Sequence, residues 1–242
     1  MSDDLYTANA EWYAALVAPW QESTASALRS ALGPLQGDVV DIASGVGTAL
    51  PVLRELGAAR LFAVEPSASM RAGLMTTIAG DPTLMRDTTV VPSGVPEALD
   101  RLPPRWDAAV MLNAIGHLDD DARMHLWAAL GGRLRPGGRF ALSLQPPGTV
   151  TAIPWTDFGE VAIGENRIRT RGRADPLDGT RVTWTMEWSL LDAHGDLLER
   201  RRASYPWRAL SREVLVREAA ARGLRAVGPA PDSPLLALER AG

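Results

Sequence analysis

Apolar and polar positions along this chain alternate between two periods. Tyr13, Leu16, Val17 and Trp20 recur at spacings of three, one and three, one face of a helix. Residues 6 to 32 read as two helices, with Pro19 ending or bending the first. Short apolar runs then predict strands at 38 to 43, 60 to 65, Thr88 to Val91, Trp106 to Leu112 and Arg139 to Leu144. Helical segments separate them. One spans 48 to 57 and closes at Gly57; another runs from the N-cap Ser67 to about 79. A short helical turn covers 94 to 101. A longer helix opens at Asp119, Asp120 and Asp121, where a helix favours negative charge. It carries Met124, Trp127, Leu130 and Leu134 and stops at Pro136-Gly137-Gly138. Strands alternating with helices imply a parallel sheet.

The pattern changes between 158 and 208, where no helical period survives. Thr183 to Leu190 alternates and puts Trp184, Met186 and Trp188 on one strand face. Asp192-Ala193-His194-Gly195 reads as a hairpin turn, with Gly195 supplying a positive φ. Leu197 to Tyr205 would return. A small antiparallel sheet is therefore inserted after the fifth strand. Ser211 then caps a helix that ends at Gly223, and Leu224 to Val227 and Leu235 to Glu239 are the last strands. The expected organisation is one domain: a helical cap (1–36), a core (37–145), the insert (146–210), and a closing helix with strands (211–242).

Composition narrows the class. At 242 residues the chain can hold one sizeable core. The formal net charge of -4 argues against an electrostatic grip on nucleic acid or an anionic membrane. There is no cysteine, so thiolate chemistry and disulfides are excluded. No apolar run approaches a membrane span, and the acidic start lacks a signal-peptide core, so a cytoplasmic protein is expected. Arg167, Arg169, Arg171 and Arg173 alternate on one strand face, but acidic residues balance Arg across 151 to 210. That face reads as solvated and internally paired.

The chemistry concentrates in Val39-Val-Asp-Ile-Ala-Ser-Gly-Val-Gly47. An apolar strand ends in Asp41, and a turn follows with Gly45 and Gly47. Such glycines let the backbone turn sharply and approach a ligand. The next strand ends in Glu65, an acid placed to accept ribose hydroxyls. The spacing does not fit a dinucleotide fingerprint, because Leu50 or Thr48 falls where Gly or Ala is required.

The turn resembles the first motif of class I S-adenosylmethionine-dependent methyltransferases, with Ala43 in place of a glycine. Val64-Glu65-Pro66-Ser67 with Met70 is similar to that family's ribose-binding strand end. Trp106 to Asn113, followed by His117-Leu118, resembles its fourth strand and substrate-side loop. Leu134-Arg-Pro-Gly-Gly-Arg-Phe140 is close to the turn before its fifth strand. The resemblance implies an α/β, Rossmann-like, seven-stranded and mostly parallel sheet, helices on both faces and the last strand antiparallel.

It also implies site residues. Asp41, Ala43, Ser44, Gly45 and Gly47 would border the methionine part of S-adenosylmethionine, Glu65 the ribose, and Pro66, Met70 and Val95 the adenine side. Asn113 would meet the ammonium group, and Tyr13 would cover the cofactor. Val95 and Pro96 depart from the usual adenine-binding pattern, and Ser93 could compensate. Tyr6, His117, Gln145, Trp184 and Trp188 would face a small-molecule acceptor, apolar or aromatic, methylated on N, O or C. His117 is the candidate general base.

Bland alternatives stand beside these. Asp41 and Glu65 could simply cap local structure, and His117 could be an ordinary loop histidine. The tyrosines and tryptophans could be packing. At the level of function, the rivals are an NAD(P)-dependent oxidoreductase and a non-catalytic cofactor-binding module. No metal, nucleic acid or membrane partner is expected, and the chain is a monomer or homodimer.

Overall fold

The computed structural model describes residues 6–7, 9–228, 233 and 235–242. Two helices lead in: α1 (Ala10–Val17) and α2 (Gln21–Leu32), joined by a 3₁₀ turn over Ala18–Trp20 that contains Pro19. The chain then alternates through β1 (Asp38–Ile42), α3 (Leu50–Glu55), β2 (Arg60–Val64), α4 (Ala68–Ala79), α5 (Pro82–Asp87) and β3 (Thr88–Val91). β4 (Trp106–Met111), α6 (Asp120–Arg133) and β5 (Leu134–Ser143) follow. The caps work as the sequence suggests: Ser67 Oγ accepts from Met70 N, and Asp119 accepts from Ala122 N.

The insert is four long strands, β6 (Ile153–Ile163), β7 (Asn166–Pro176), β8 (Arg181–Leu191) and β9 (Leu197–Arg208). They pair antiparallel in chain order. Gly195 turns β8 into β9 with φ +89°. α7 (Arg212–Ala220), β10 (Leu224–Val227) and β11 (Leu235–Arg240) complete the chain, with Ser211 capping α7.

The main sheet has seven strands in the order β10-β11-β5-β4-β1-β2-β3. β1 pairs in parallel with β2 and β4; β11 runs antiparallel between β10 and β5. The order reverses between β1 and β4, so their carboxyl ends diverge and leave a crevice, the usual ligand position in such sheets. Two apolar layers sandwich the sheet. One gathers Ile42, Phe62, Met111, Trp127 and Phe140; the other gathers Leu28, Val39, Leu50, Leu61 and Leu74.

Two details depart from the sequence reading. α5 was not anticipated, although Asp81 caps it by accepting from Thr83 N and Leu84 N. Leu134, expected on α6, is the first residue of β5, which starts before the Pro-Gly-Gly turn rather than after it. The register shift between Trp106 and Ala108 absorbs the irregularity, and Gly137 supplies φ +74° there.

The inserted sheet has unlike faces. Trp184, Met186 and Trp188 point inward and form a third apolar cluster with Trp12, Ile168, Val182 and Trp207. The outer face carries the arginines. Arg167 and Arg169 pair with Glu160, Arg171 with Glu187, and Arg173 with Asp175. Trp155 lies outside too, under the guanidiniums of Arg171, Arg173 and Arg202. α1 is clamped to the sheet by Arg201, which stacks 4.3 Å over Trp12 and pairs with Glu11. Among the described residues, no helix is long and apolar enough to cross a membrane.

Candidate active site

The turn after β1 sits at the reversal point. Ala43, Gly45 and Gly47 have φ of +57°, +56° and +84°. Glycine adopts such angles freely, whereas Ala43 does so at a cost. The two glycines differ in what surrounds them. A Cβ on Gly45 would meet no atom within 4 Å, so its outer side is open to a ligand. A Cβ on Gly47 would come within 2.9 Å of Leu74 Cδ1, against α4. Gly47 therefore serves packing in this structure rather than lining the crevice.

Glu65 directly follows β2 and is almost fully buried. Its Oε2 accepts from Gly45 N at 2.8 Å and its Oε1 from Ser67 N at 2.8 Å. The carboxylate thus ties the turn to the start of α4 while remaining in the crevice wall. Asp41 is also buried, and its Oδ2 has no partner. Burial pushes the Asp41 carboxyl up to about 7; Ser44 opposes the shift and the Glu65 charge adds to it.

The crevice is a cavity of about 400 Å³. Its wall includes Tyr13, Ala43, Gly45, Glu65, Pro66, Met70, Val95, Asn113 and His117. A small adjoining cavity of about 50 Å³ holds Asp41, Ser44 and again Gly45. Gly94 and Val95 also line the main crevice, while Ser93 Oγ is buried without a partner and Ser93 is not among its lining residues. The Asn113 backbone N–H donates to Ser143 Oγ at 2.6 Å, which fixes this residue at φ +53°.

A second chamber of about 120 Å³ opens beside the crevice. Tyr6, Tyr13, Asn113 and His117 belong to both walls. Its remaining walls come from the inner face of the inserted sheet, with Trp184, Trp188, Tyr205 and Trp207, and from Phe158 and Gln145. All five residues assigned to the acceptor side by sequence line it. Trp155, on the outer face of the insert, does not.

His117 is held between rings. Tyr6 Oη lies 3.1 Å from His117 Nε2, and Tyr205 and Trp207 stand 5.4 and 4.8 Å from the imidazole centroid. Burial among them pulls its pKa down to about 4, so the ring is neutral at neutral pH. Trp207 is set by Gly116, whose missing Cβ would fall 2.1 Å from the indole. Sequence reasoning passed over Tyr205, Phe158, Trp20 and Asn9 as chamber residues. The alternation Ala203, Tyr205, Trp207 was the available signal for two aromatic rings of β9.

The donor set fits a cationic, phosphate-free nucleoside better than a dinucleotide. An unpartnered buried carboxyl beside an open glycine suits a positive group. α3 has six residues with Pro51 in its first turn, which lacks an N–H to offer a pyrophosphate. Among the described residues, no cluster of His, Asp and Glu could hold a metal ion.

No family model and no curated protein sequence matches the chain. Solved structures do. DesVI from Streptomyces venezuelae superposes with a TM-score of 0.72 at 16% identity, covering 96% of both chains. CalS10 from Micromonospora echinaspora, an amino pentose methyltransferase solved with S-adenosylmethionine, gives 0.66 at 17%, covering 96% of this chain and 95% of that one. The sugar N-methyltransferase KedS8 from a Streptoalloteichus species gives 0.62 at 18%, covering 98% and 88%. The chain thus has the Rossmann-like methyltransferase fold, inserted antiparallel sheet included.

Proposed function

We propose that this protein transfers a methyl group from S-adenosylmethionine to an amine nitrogen of a small molecule. The observation that carries the reading is the junction of two cavities. The Glu65 crevice, at the carboxyl ends of β1, β2 and β4, meets an aromatic chamber through Tyr6, Tyr13, Asn113 and His117. Methyl transfer from a sulfonium is an in-line displacement, which needs donor and nucleophile aligned across such a junction and little else. The bound cofactor supplies the activated methyl group.

The chain's own residues would do the rest. Glu65 binds the ribose hydroxyls. Asp41, once ionised, balances positive charge by the turn. Asn113 lies between both cavities, and Tyr13 and Tyr6 close over them and keep water out.

Nitrogen is favoured over oxygen by His117. A base with a pKa of about 4 is far too weak to take a proton from an alkyl hydroxyl in step with transfer. A neutral amine brings its own lone pair and needs no base. His117, bonded to Tyr6, then orients that phenol, and the proton of the methylated amine leaves to solvent. CalS10 and KedS8, whose names specify amino-sugar and sugar-nitrogen acceptors, support the same choice. The protein would act in solution, without nucleic acid or membrane.

The test is calorimetry with S-adenosylhomocysteine and with NADH, then mass spectrometry of a panel of ring amines and alcohols incubated with isotope-labelled S-adenosylmethionine. Binding of the first ligand alone and a labelled-methyl mass gain on amines are expected. Binding of NADH alone would favour an oxidoreductase, and methylated alcohols with untouched amines would overturn the choice of nitrogen.

A further inference from the structure

Two residues of the chamber wall each carry a buried polar atom with no partner. Trp188 is 2% exposed, and its indole Nε1 lacks a partner. Asn9 is 4% exposed, and its Oδ1 lacks one too. Buried polar groups are normally satisfied, so each such exception calls for an explanation. Both residues line the aromatic chamber.

The Asn9 case is the more telling. Asn9 is the N-cap residue of α1, where an asparagine ordinarily turns its side-chain oxygen onto the N–H of the second or third helical residue. Here the side chain makes no capping bond. An N-cap asparagine that neither caps nor meets water is spending its acceptor elsewhere. Trp188 is the deepest tryptophan of the sheet's inner face, and a phenylalanine would fill the same apolar role without the N–H.

Charge completes the picture. Among the described residues, the chamber wall has Tyr, Trp, Phe, His, Asn, Gln, Pro, Leu and Met side chains, and no Asp, Glu or Arg. His117 is neutral there. A charged substituent would be desolvated with no opposite charge to meet it.

We infer that Trp188 Nε1–H and Asn9 Oδ1 are the hydrogen-bonding anchors of the acceptor subsite, which takes an uncharged, ring-sized group bearing hydroxyl or carbonyl substituents. This identification of the occupant rests on the methyl-transfer reading; the anchors themselves do not. Trp188 gives its proton to an oxygen of the ring substituent. Asn9 Oδ1 accepts from a hydroxyl. The two bonds set which edge of the ring faces the junction at Tyr6 and His117, so they select the atom presented to the methyl group. The aromatic walls cover the ring's apolar faces.

The experiment uses phenol and benzene as probes, titrated by NMR into the full-length protein saturated with S-adenosylhomocysteine. Benzene reports the apolar chamber alone, and phenol adds one hydroxyl. Wild type is compared with Trp188→Phe and Asn9→Ala; the second cannot remove a helix cap, because none is made. Wild type should bind phenol more tightly than benzene. Each variant should weaken phenol about three- to tenfold, the range of one neutral hydrogen bond, with benzene unchanged. Phenol and benzene weakening together, or neither changing, would overturn the anchor assignment. Phenol discrimination that survives in a protein unable to bind S-adenosylhomocysteine would uphold the subsite and remove the methyl-transfer reading instead.

Discussion

Glu65 Oε2 accepts the Gly45 N–H at 2.8 Å, so the acid just after β2 is bonded to the glycine turn that follows β1. This bond joins the two parts of the crevice that would face opposite ends of the same ligand. Two backbone N–H groups thus serve this almost fully buried carboxyl group.

Removing that carboxylate should cost the cofactor its ribose contact. Glu65→Ala should weaken S-adenosylhomocysteine binding by about 1.5–3 kcal/mol, the range for hydrogen bonds to a charged group. Calorimetry reads this directly. An unchanged Kd would remove Glu65 from the site and leave it a tie between turn and helix.

The two turn glycines should fail differently. Gly45→Val fills the open side of the turn and should abolish cofactor binding, with some loss of melting temperature because φ there is +56°. Gly47→Ala pushes a Cβ toward Leu74 Cδ1 at positive φ, so it should lower the melting temperature. The Kd of the folded fraction should stay within a few-fold of wild type. A Gly47→Ala protein of normal stability that binds poorly would return Gly47 to the cofactor wall.

Ala43 holds the same left-handed region without being glycine. Ala43→Gly should therefore relieve strain. The gain should be about 0.5–1 kcal/mol in denaturant unfolding, since the 1–2 kcal/mol left-handed cost is partly offset by glycine's greater unfolded-state entropy. No gain would show that the turn is not strained at this position.

The main sheet was legible because its strands are continuous apolar runs and its turns are marked by Gly, Pro and capping residues. Asp41, Glu65 and the glycine turn could be read in place for the same reason. The chamber was only half legible. Alternation along Thr183 to Leu190 says that Trp184, Met186 and Trp188 share a face, but not which way the face looks. That depends on strand pairing between distant segments, such as Trp184 with Tyr205. Asn9 gave no signal at all, since an N-cap asparagine explains itself locally. Gly47 misled, because a glycine turn near a ligand and a glycine turn against a helix have the same sequence.

If the inner face walls the acceptor site, Trp188→Ala should raise the acceptor KM or lower kcat, with cofactor affinity near wild type. Loss of both affinities together with a lower melting temperature would point to packing instead, as the shared cluster with Trp12 and Trp207 allows.

Asp41 and His117 should pull stability in opposite directions with pH. The Asp41 pKa is raised, to about 7 from 3.8, so the folded state holds a proton that the unfolded chain releases first. Its contribution is full below about pH 4 and is lost as pH rises to 7. His117 is the reverse. Its pKa is lowered, to about 4 from 6.5, so the unfolded chain takes up the proton first. Its contribution is full above about pH 6.5 and is lost as pH falls to 4. In the wild type the two slopes offset each other across the shared window. Asp41→Asn should therefore gain stability over wild type as pH rises from 4 to 7, and then level off. His117→Gln should gain over wild type as pH falls from 6.5 to 4. Each difference should change by no more than about 1.4 kcal/mol per pH unit, the limit for one proton. Saturating S-adenosylmethionine should erase the Asp41 difference, because a cation beside Oδ2 favours the ionised carboxylate. Urea unfolding at half-unit pH steps, with and without the cofactor, measures all three. Parallel curves for Asp41→Asn and wild type would show that this carboxyl is ionised throughout and has no proton to lose.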